Sequence, residues 1–291
     1  MTILEVVVLA IIQGLAELLP VSSSAHVVVA EKLMGLDPSS PQMTLLLVML
    51  HTGTMFAVIV YFWKVWKKTY FASWPAFRQV AGLVIWATVL TGVVGELLKK
   101  LIEKTLFRGA TNTEIEQLFS RLDLIAPALA AVGVLILIAG LLEKRHPSEL
   151  ALKGGASETL SFRQAGWMGI VQGLALPFRG FSRSGSTISA GMLVGAAKEA
   201  AERFSFALAV VLTPVVVAME FMRMLKAAHG NSVELRGSLG MSLIGAAFSF
   251  AAGLAALKWL SNWLESGRWY LFGIYCLLAS AAVYYLHVRG F

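Results

Sequence analysis

Apolar residues run along this chain in blocks about as long as a bilayer is thick, with polar residues gathered between them. Six long runs stand out, at residues 43–63, 80–98, 125–142, 204–222, 238–258 and 269–287. Each comes close to the roughly 20 residues that carry an α-helix across hydrocarbon. Each therefore predicts a membrane-spanning helix. Charged connectors separate them, at 64–78, 99–123, 143–163, 223–236 and 258–268. The connector at 99–123 mixes both signs and predicts a surface amphipathic helix. Pro, Ser, Gly and Lys at 147–160 mark a boundary between two halves, 1–146 and 147–291, within one membrane domain.

Two stretches break this pattern, and they repeat each other. Residues 12–26 read IQGLAELLPVSSSAH and residues 171–186 read VQGLALPFRGFSRSGS. Both begin apolar–Gln–Gly–Leu–Ala, break at a proline and end in a serine cluster. The flanking segments 1–19, 21–34, 165–176 and 184–197 are too short or too polar to be comfortable spans. Non-helical backbone at membrane depth survives only where protein buries it or where it lines a wet cavity. Each motif thus predicts a re-entrant helical hairpin with its break near mid-membrane.

The repeat extends to the first span of each half, where Thr52–Gly53 matches Thr213–Pro214. One hairpin plus three spans per half is an odd number of crossings, so the second half is expected to be inverted. The expected fold class is an all-α polytopic membrane protein. It is an inverted-topology repeat of six transmembrane helices and two re-entrant hairpins, with a shared polar site where the halves meet. Matched position by position, with one residue inserted in the second copy, Ser23 falls on Arg183 and His26 on Ser186.

Composition agrees with this reading. The chain has 291 residues, of which 57% are hydrophobic and 14% charged, and its mean hydropathy is +0.74. A soluble domain of this size needs more charge to cover its surface. The first residues carry Glu5 and run straight into the polar motif, so no cleavable signal is expected. A single cysteine, Cys276, excludes an internal disulfide. The net charge of +7 suits anionic headgroups. No basic stretch is interleaved with exposed aromatics, so nucleic acid is not an expected partner. Counting Lys and Arg in the connectors places both termini outside.

The candidate chemistry is divided between the two motifs. Gln13 and Glu17 are four apart and share a helix face. Pro20 then disrupts the helix, and Ser22, Ser23, Ser24 and His26 follow. A serine at the break can cap the next helix. Ser23 and His26 are three apart and can face one side of its first turn. Carboxylate, hydroxyl and imidazole are components of base-assisted nucleophilic attack. They are costly to bury in an apolar hairpin without a purpose. A purely capping and core-filling role is the competing reading.

The second motif reads as an anion cradle. Gly180 and Gly185 allow tight turns, and Ser182, Ser184, Ser186 and Thr187 supply hydroxyls. Arg183 supplies a permanent bidentate cation, and a helix starting nearby adds free N–H groups. Arg179 is open between a second phosphate contact, a pair with Glu17 and an interfacial position. His51 is a candidate supporting group, and Glu96, Glu220 and His287 read as interfacial. Base, nucleophile and anion clamp from two halves make a phosphoryl-transfer layout. A site between membrane helices suits a lipid phosphate, whose tail stays in the bilayer.

QGLAELLPVSSSAH and GFSRSGSTIS resemble the two signatures of the bacterial undecaprenyl-diphosphate phosphatases, the bacitracin-resistance family, over essentially the whole chain. The resemblance implies paired re-entrant hairpins in an interlocked inverted repeat. It implies removal of the terminal phosphate of undecaprenyl diphosphate, which regenerates the lipid carrier for cell-wall synthesis. It also implies a bacterial inner-membrane location and a site opening toward the periplasm. Carried over, it makes Ser23 the nucleophile, His26 its proton partner and Arg183 the phosphate holder. Glu17 would orient His26 or help bind a divalent cation, Mg²⁺ or Ca²⁺.

This chain departs from the family pattern at two places. Gln13 stands where the family commonly has Glu, which weakens direct metal binding there. The usual Pro-Gly-Phe-Ser-Arg-Ser-Gly is stretched to Pro177-Phe-Arg-Gly-Phe-Ser-Arg-Ser-Gly185, which adds Arg179. The alternatives are a transporter or flippase of an anionic lipid, a phosphatidic-acid-type phosphatase and an intramembrane serine protease. The second needs a His about six residues beyond the arginine, where Ser189 stands, and the third leaves Arg183 unexplained. The oligomeric state is not set, and a homodimer stays open.

Overall fold

A computed structural model describes residues 1–37, 40–106, 121–145, 160–227, 232–265 and 268–290. The described residues form ten helices. The first five are α1 (Ile3–Leu18), α2 (Ser23–Leu33), α3 (Pro41–Thr69), α4 (Trp74–Leu106) and α5 (Leu122–Arg145). The second five are α6 (Phe162–Ala175), α7 (Arg183–Leu193), α8 (Lys198–Ala227), α9 (Ser232–Glu265) and α10 (Tyr270–Val288). Six of them, α3, α4, α5, α8, α9 and α10, are long and apolar enough to cross a membrane. They carry the six apolar runs read from the sequence. Most of the predicted amphipathic connector, and the predicted boundary between halves, lie outside the described residues.

Several helices outlast their apolar runs. The apolar run of α4 ends near residue 98, yet the helix continues to Leu106. Lys100–Glu96 at 3.4 Å and Lys99–Glu103 at 3.8 Å are i,i+4 pairs, and such pairs support a polar helix in water. Glu96 sits on an exposed face, as its position near a span end suggested.

The two short-helix pairs are built with the same punctuation. Thr2 caps α1, accepting from Glu5 N–H while the Glu5 carboxylate accepts from Thr2 N–H. Ser161 and Gln164 make the same reciprocal box at the start of α6. Breaks follow at Leu19–Pro20 and at Leu176–Pro177. The second helices end alike too. Gly35 and Gly195 take positive φ, at 68° and 84°. Leu36 N–H then reaches back to Glu31 O, as Ala196 N–H does to Gly191 O. This six-to-one closure needs a residue that tolerates the left-handed region.

Each pair packs most closely against a long helix from the other half of the chain. Helix α1 lies on α9, and α6 lies on α4. At Gly14 a Cβ would stand 2.6 Å from Ala252 Cβ and from Ser249 O, and at Gly169 one would stand 2.4 Å from Ala87 O. Small residues let these backbones touch, which is how helices gain packing energy in lipid. Helix α3 also packs on α8 and α9, and α5 on α10. The result brings the breaks of both pairs together in the protein interior.

Candidate active site

The candidate side chains sit at helix ends around the two breaks. Glu17 is in the last turn of α1, Ser23 opens α2 and Arg183 opens α7. Backbone contacts fix the breaks to each other. Ser184 Oγ donates to Leu19 O at 3.3 Å, and Gly180 N–H donates to Ser24 Oγ at 3.4 Å. A Cβ at Gly185 would lie 3.0 Å from Pro20 O. Only glycine lets the second break come this close to the first.

Glu17 is the centre of the assembly. Its Oε1 accepts from Arg183 Nη2 at 2.6 Å. Its Oε2 accepts from Ser23 Oγ at 2.5 Å and from Gln13 Nε2 at 3.2 Å. His51 Nε2 stands 3.8 Å from the same oxygen. The His51 Nδ1–H donates to Leu47 O at 2.8 Å, which turns Nε2 toward the carboxylate. The carboxylate and guanidinium are largely covered, with side-chain exposures of 15% and 23%. A charge pair in such a setting holds only when its remaining bonds are satisfied. Here Ser23 and Gln13 satisfy those of the carboxylate.

The structure pairs these residues differently from the sequence expectation in two respects. Ser23 bonds Glu17, not His26. His26 Nδ1 bonds Ser22 O at 2.7 Å, and its Nε2 bonds the Tyr275 hydroxyl at 2.7 Å. Glu17 therefore does not orient His26. The three-residue spacing puts Ser23 and His26 on one helical turn, but α1 stands on one side of that turn and α10 on the other. One reading left open for Arg179 is a pair with Glu17. Arg183 fills that place, and Arg179 lies within electrostatic reach of the buried Glu31.

The serine clusters are largely engaged within the protein. Ser182 caps α7 by accepting from Gly185 N–H at 3.2 Å. Ser186 and Thr187 donate to Arg183 O at 3.1 and 2.8 Å, and Thr187 also bonds Ser205 at 2.6 Å. Ser22 occupies the cap position of α2 without a side-chain cap bond, and its Oγ meets Ser24 Oγ at 3.2 Å. Its φ of 69° is positive, the only non-glycine case among the described residues. Holding serine there costs about 1–3 kcal/mol. In return the Ser22 carbonyl faces the His26 ring.

A small pocket, with room for about one water, lies beside the Glu17–Arg183 pair, between α3 and α8. Thr54, Met55 and Val58 line one wall, and Ala209, Val210 and Thr213 the other. Pro214 has no N–H, so the Val210 carbonyl lacks its helical donor. Thr213 was legible through its match to Thr52 in the repeat. Tyr275 carried no signal, being one of several aromatic residues within an apolar run.

Residues 6–282 match the family described as Bacitracin resistance protein BacA. The chain belongs to the BacA family. It is 56% identical over 287 residues to Undecaprenyl-diphosphatase 2 of Acinetobacter baylyi, covering 97% of each chain. It is 33% identical to Undecaprenyl-diphosphatase of Rhodopirellula baltica over 291 residues, 99% of each. A third relative, Undecaprenyl-diphosphatase 2 of Burkholderia orbicola, is 32% identical over 290 residues, 96% of this chain and 95% of that one.

Among the described residues of this BacA-family chain, the side chains around Glu17 do not form a protein cage for a divalent cation. Both Glu17 oxygens already face N–H or O–H donors, and Gln13 presents its amide N–H to the carboxylate. Among the described residues, no group of three or more His, Cys, Asp or Glu side chains is placed to hold a metal.

Proposed function

We propose that this chain hydrolyses undecaprenyl diphosphate to undecaprenyl phosphate and inorganic phosphate, recycling the lipid carrier for peptidoglycan and cell-wall synthesis. The observation that carries this reading is the chain of contacts Ser23 Oγ–Glu17–Arg183, which joins the proposed nucleophile, base and cation. The similarity to three undecaprenyl-diphosphatases over nearly their full lengths supports it.

In this mechanism Arg183 holds the phosphates. The ion pair with Glu17 uses one guanidinium N–H of five. Ser23 Oγ attacks the terminal phosphorus and passes its proton to Glu17, while the P–O bond to the lipid phosphate breaks. Water then attacks the phosphoserine, giving a proton to His26. Glu17 returns the first proton to Ser23 Oγ, and phosphate leaves. Where a divalent cation takes part, Mg²⁺ or Ca²⁺ belongs on the diphosphate and its own waters.

The reading places the chain in the bacterial inner membrane, with α1–α2 and α6–α7 as re-entrant hairpins of an inverted repeat divided near residue 147. Two facts support this. The hairpin helices have 16, 11, 14 and 11 residues, and at 1.5 Å per residue none reaches across about 30 Å of hydrocarbon. The two pairs also share their caps and closures. In this reading the substrate approaches from the periplasmic side, with the prenyl tail left in lipid.

The test is phosphate release from undecaprenyl diphosphate by purified protein in detergent, with Ser23→Ala alongside. Release by the wild type and its loss in the variant are expected. Equal inactivity of both, with lipid translocation persisting in vesicles, would replace the enzyme by a flippase.

A further inference from the structure

We infer that Tyr275 is a positioning residue for His26. The inference rests on the hydrolytic reading above. It begins from the imidazole, because both of its nitrogens are already held. Ser22 O is a carbonyl and can only accept, so Nδ1 carries a hydrogen and donates to it at 2.7 Å. In neutral His26 the proton-exchanging nitrogen is then Nε2. That nitrogen meets the Tyr275 hydroxyl at 2.7 Å, and the two rings lie nearly parallel, 11° apart with centroids separated by 5.7 Å. Any group that exchanges a proton with His26 must therefore do so at a nitrogen that Tyr275 governs.

Tyrosine suits this place because its hydroxyl both donates and accepts. It donates to the bare Nε2 of neutral His26. After His26 takes up a proton, the same oxygen accepts from Nε2–H. The contact thus survives both states of a histidine that cycles a proton, whereas a phenyl ring would hold neither. The arrangement also solves a problem for Tyr275. The side chain is 45% exposed on a helix apolar enough to span the membrane. A phenol facing hydrocarbon without a partner is costly, and His26 provides one.

The register of α10 is set by its neighbours. Cys276 Sγ lies 3.5 Å from Pro20 O, at the break preceding Ser22. One turn earlier, a Cβ at Gly273 would stand 2.7 Å from Gly133 O, so α10 is seated closely on α5. Adjacent residues of the last span thus touch both the break and the histidine of the first helix pair. Helix α10 is in this way part of the site, although nothing in its apolar sequence marks it as such.

The experiment combines kinetics with a spectroscopic measurement that does not need activity. Tyr275→Phe is expected to lower kcat about tenfold, the scale of one lost hydrogen bond, with KM unchanged. The limb of the kcat–pH profile set by His26 is expected to move. In a His26→Ala background the same substitution is expected to have no further effect, because its partner is gone. Separately, ¹⁵N resonances of His26 in detergent are expected to show a protonated Nδ1 and a hydrogen-bonded Nε2, with only Nε2 displaced by Tyr275→Phe. Wild-type kcat and pH profile in Tyr275→Phe, an equal loss with and without His26, or an unmoved Nε2 resonance would each overturn the inference. If the wild type releases no phosphate, the hydrolytic reading falls, and the resonances alone decide whether Tyr275 holds His26.

Discussion

Ser23 Oγ lies 2.5 Å from Glu17 Oε2, across the proline break that separates the last turn of α1 from the first turn of α2. The hydroxyl has no shorter route for its proton than this carboxylate. Glu17→Gln keeps the volume and removes the base. Phosphate release from undecaprenyl diphosphate is expected to fall about a hundredfold or more, with the protein still folded in detergent. A variant that turns over like the wild type would take Glu17 out of the proton path.

Arg183 does two things, and two substitutions separate them. Arg183→Lys keeps the charge beside Glu17 but loses the planar fork. It is expected to retain stability and to raise KM. Arg183→Ala leaves Glu17 covered and unpaired, so the melting temperature is expected to fall along with turnover. The loss of turnover is expected to be about a hundredfold or more, the scale of a lost oxyanion donor. Thermal denaturation and steady-state kinetics on the same preparations distinguish the two.

Gln13 lets Glu17 stand without a second negative charge, through the 3.2 Å amide contact. Gln13→Glu sets two carboxylates side by side, a pair that repels until a cation bridges it. Chelator is expected to inactivate this variant more than the wild type, and added Mg²⁺ or Ca²⁺ to restore it. Equal chelator sensitivity of the two proteins would give position 13 a packing role only.

The seat of the first helix pair can be loosened at Gly14. A larger side chain there collides with α9, since a Cβ already meets Ala252 and Ser249 at 2.6 Å. Gly14→Leu is expected to destabilise by about 1–3 kcal/mol, as overpacking does. Gly92→Ala is the control, because a Cβ at that point of α4 meets nothing within 4 Å. Alanine there is expected to be neutral or mildly stabilising. Melting curves in one detergent compare them.

The spans were legible because hydrophobic length is a strong signal. Each of the six apolar runs became a long helix, and Pro20 and Pro177 marked both breaks. The helix ends were less legible. Helix α4 runs on past its apolar stretch through charged residues, because lysine–glutamate pairs sustain it. At the site, the sequence named Glu17, Ser23, His26 and Arg183 but not who bonds whom. Spacing fixes which residues share a helical turn. It does not fix which neighbouring helix faces that turn, so Ser23 went to α1 and His26 to α10. The hydroxyls of Ser186 and Thr187 looked like anion ligands by type, yet both turn back onto the Arg183 carbonyl.

The pair Glu17–Arg183 joins residues 166 positions apart, and α1 rests on α9, which begins at Ser232. This has a consequence for how the protein is made. Synthesis runs from the amino end, so α1 emerges when neither its counter-charge nor its packing surface yet exists. A lone carboxylate is unwelcome in hydrocarbon. The first helix pair is therefore expected to wait at the headgroups or inside the insertion machinery until most of the chain has been translated. Its seating is a late closure, and the candidate site comes into being only at that step.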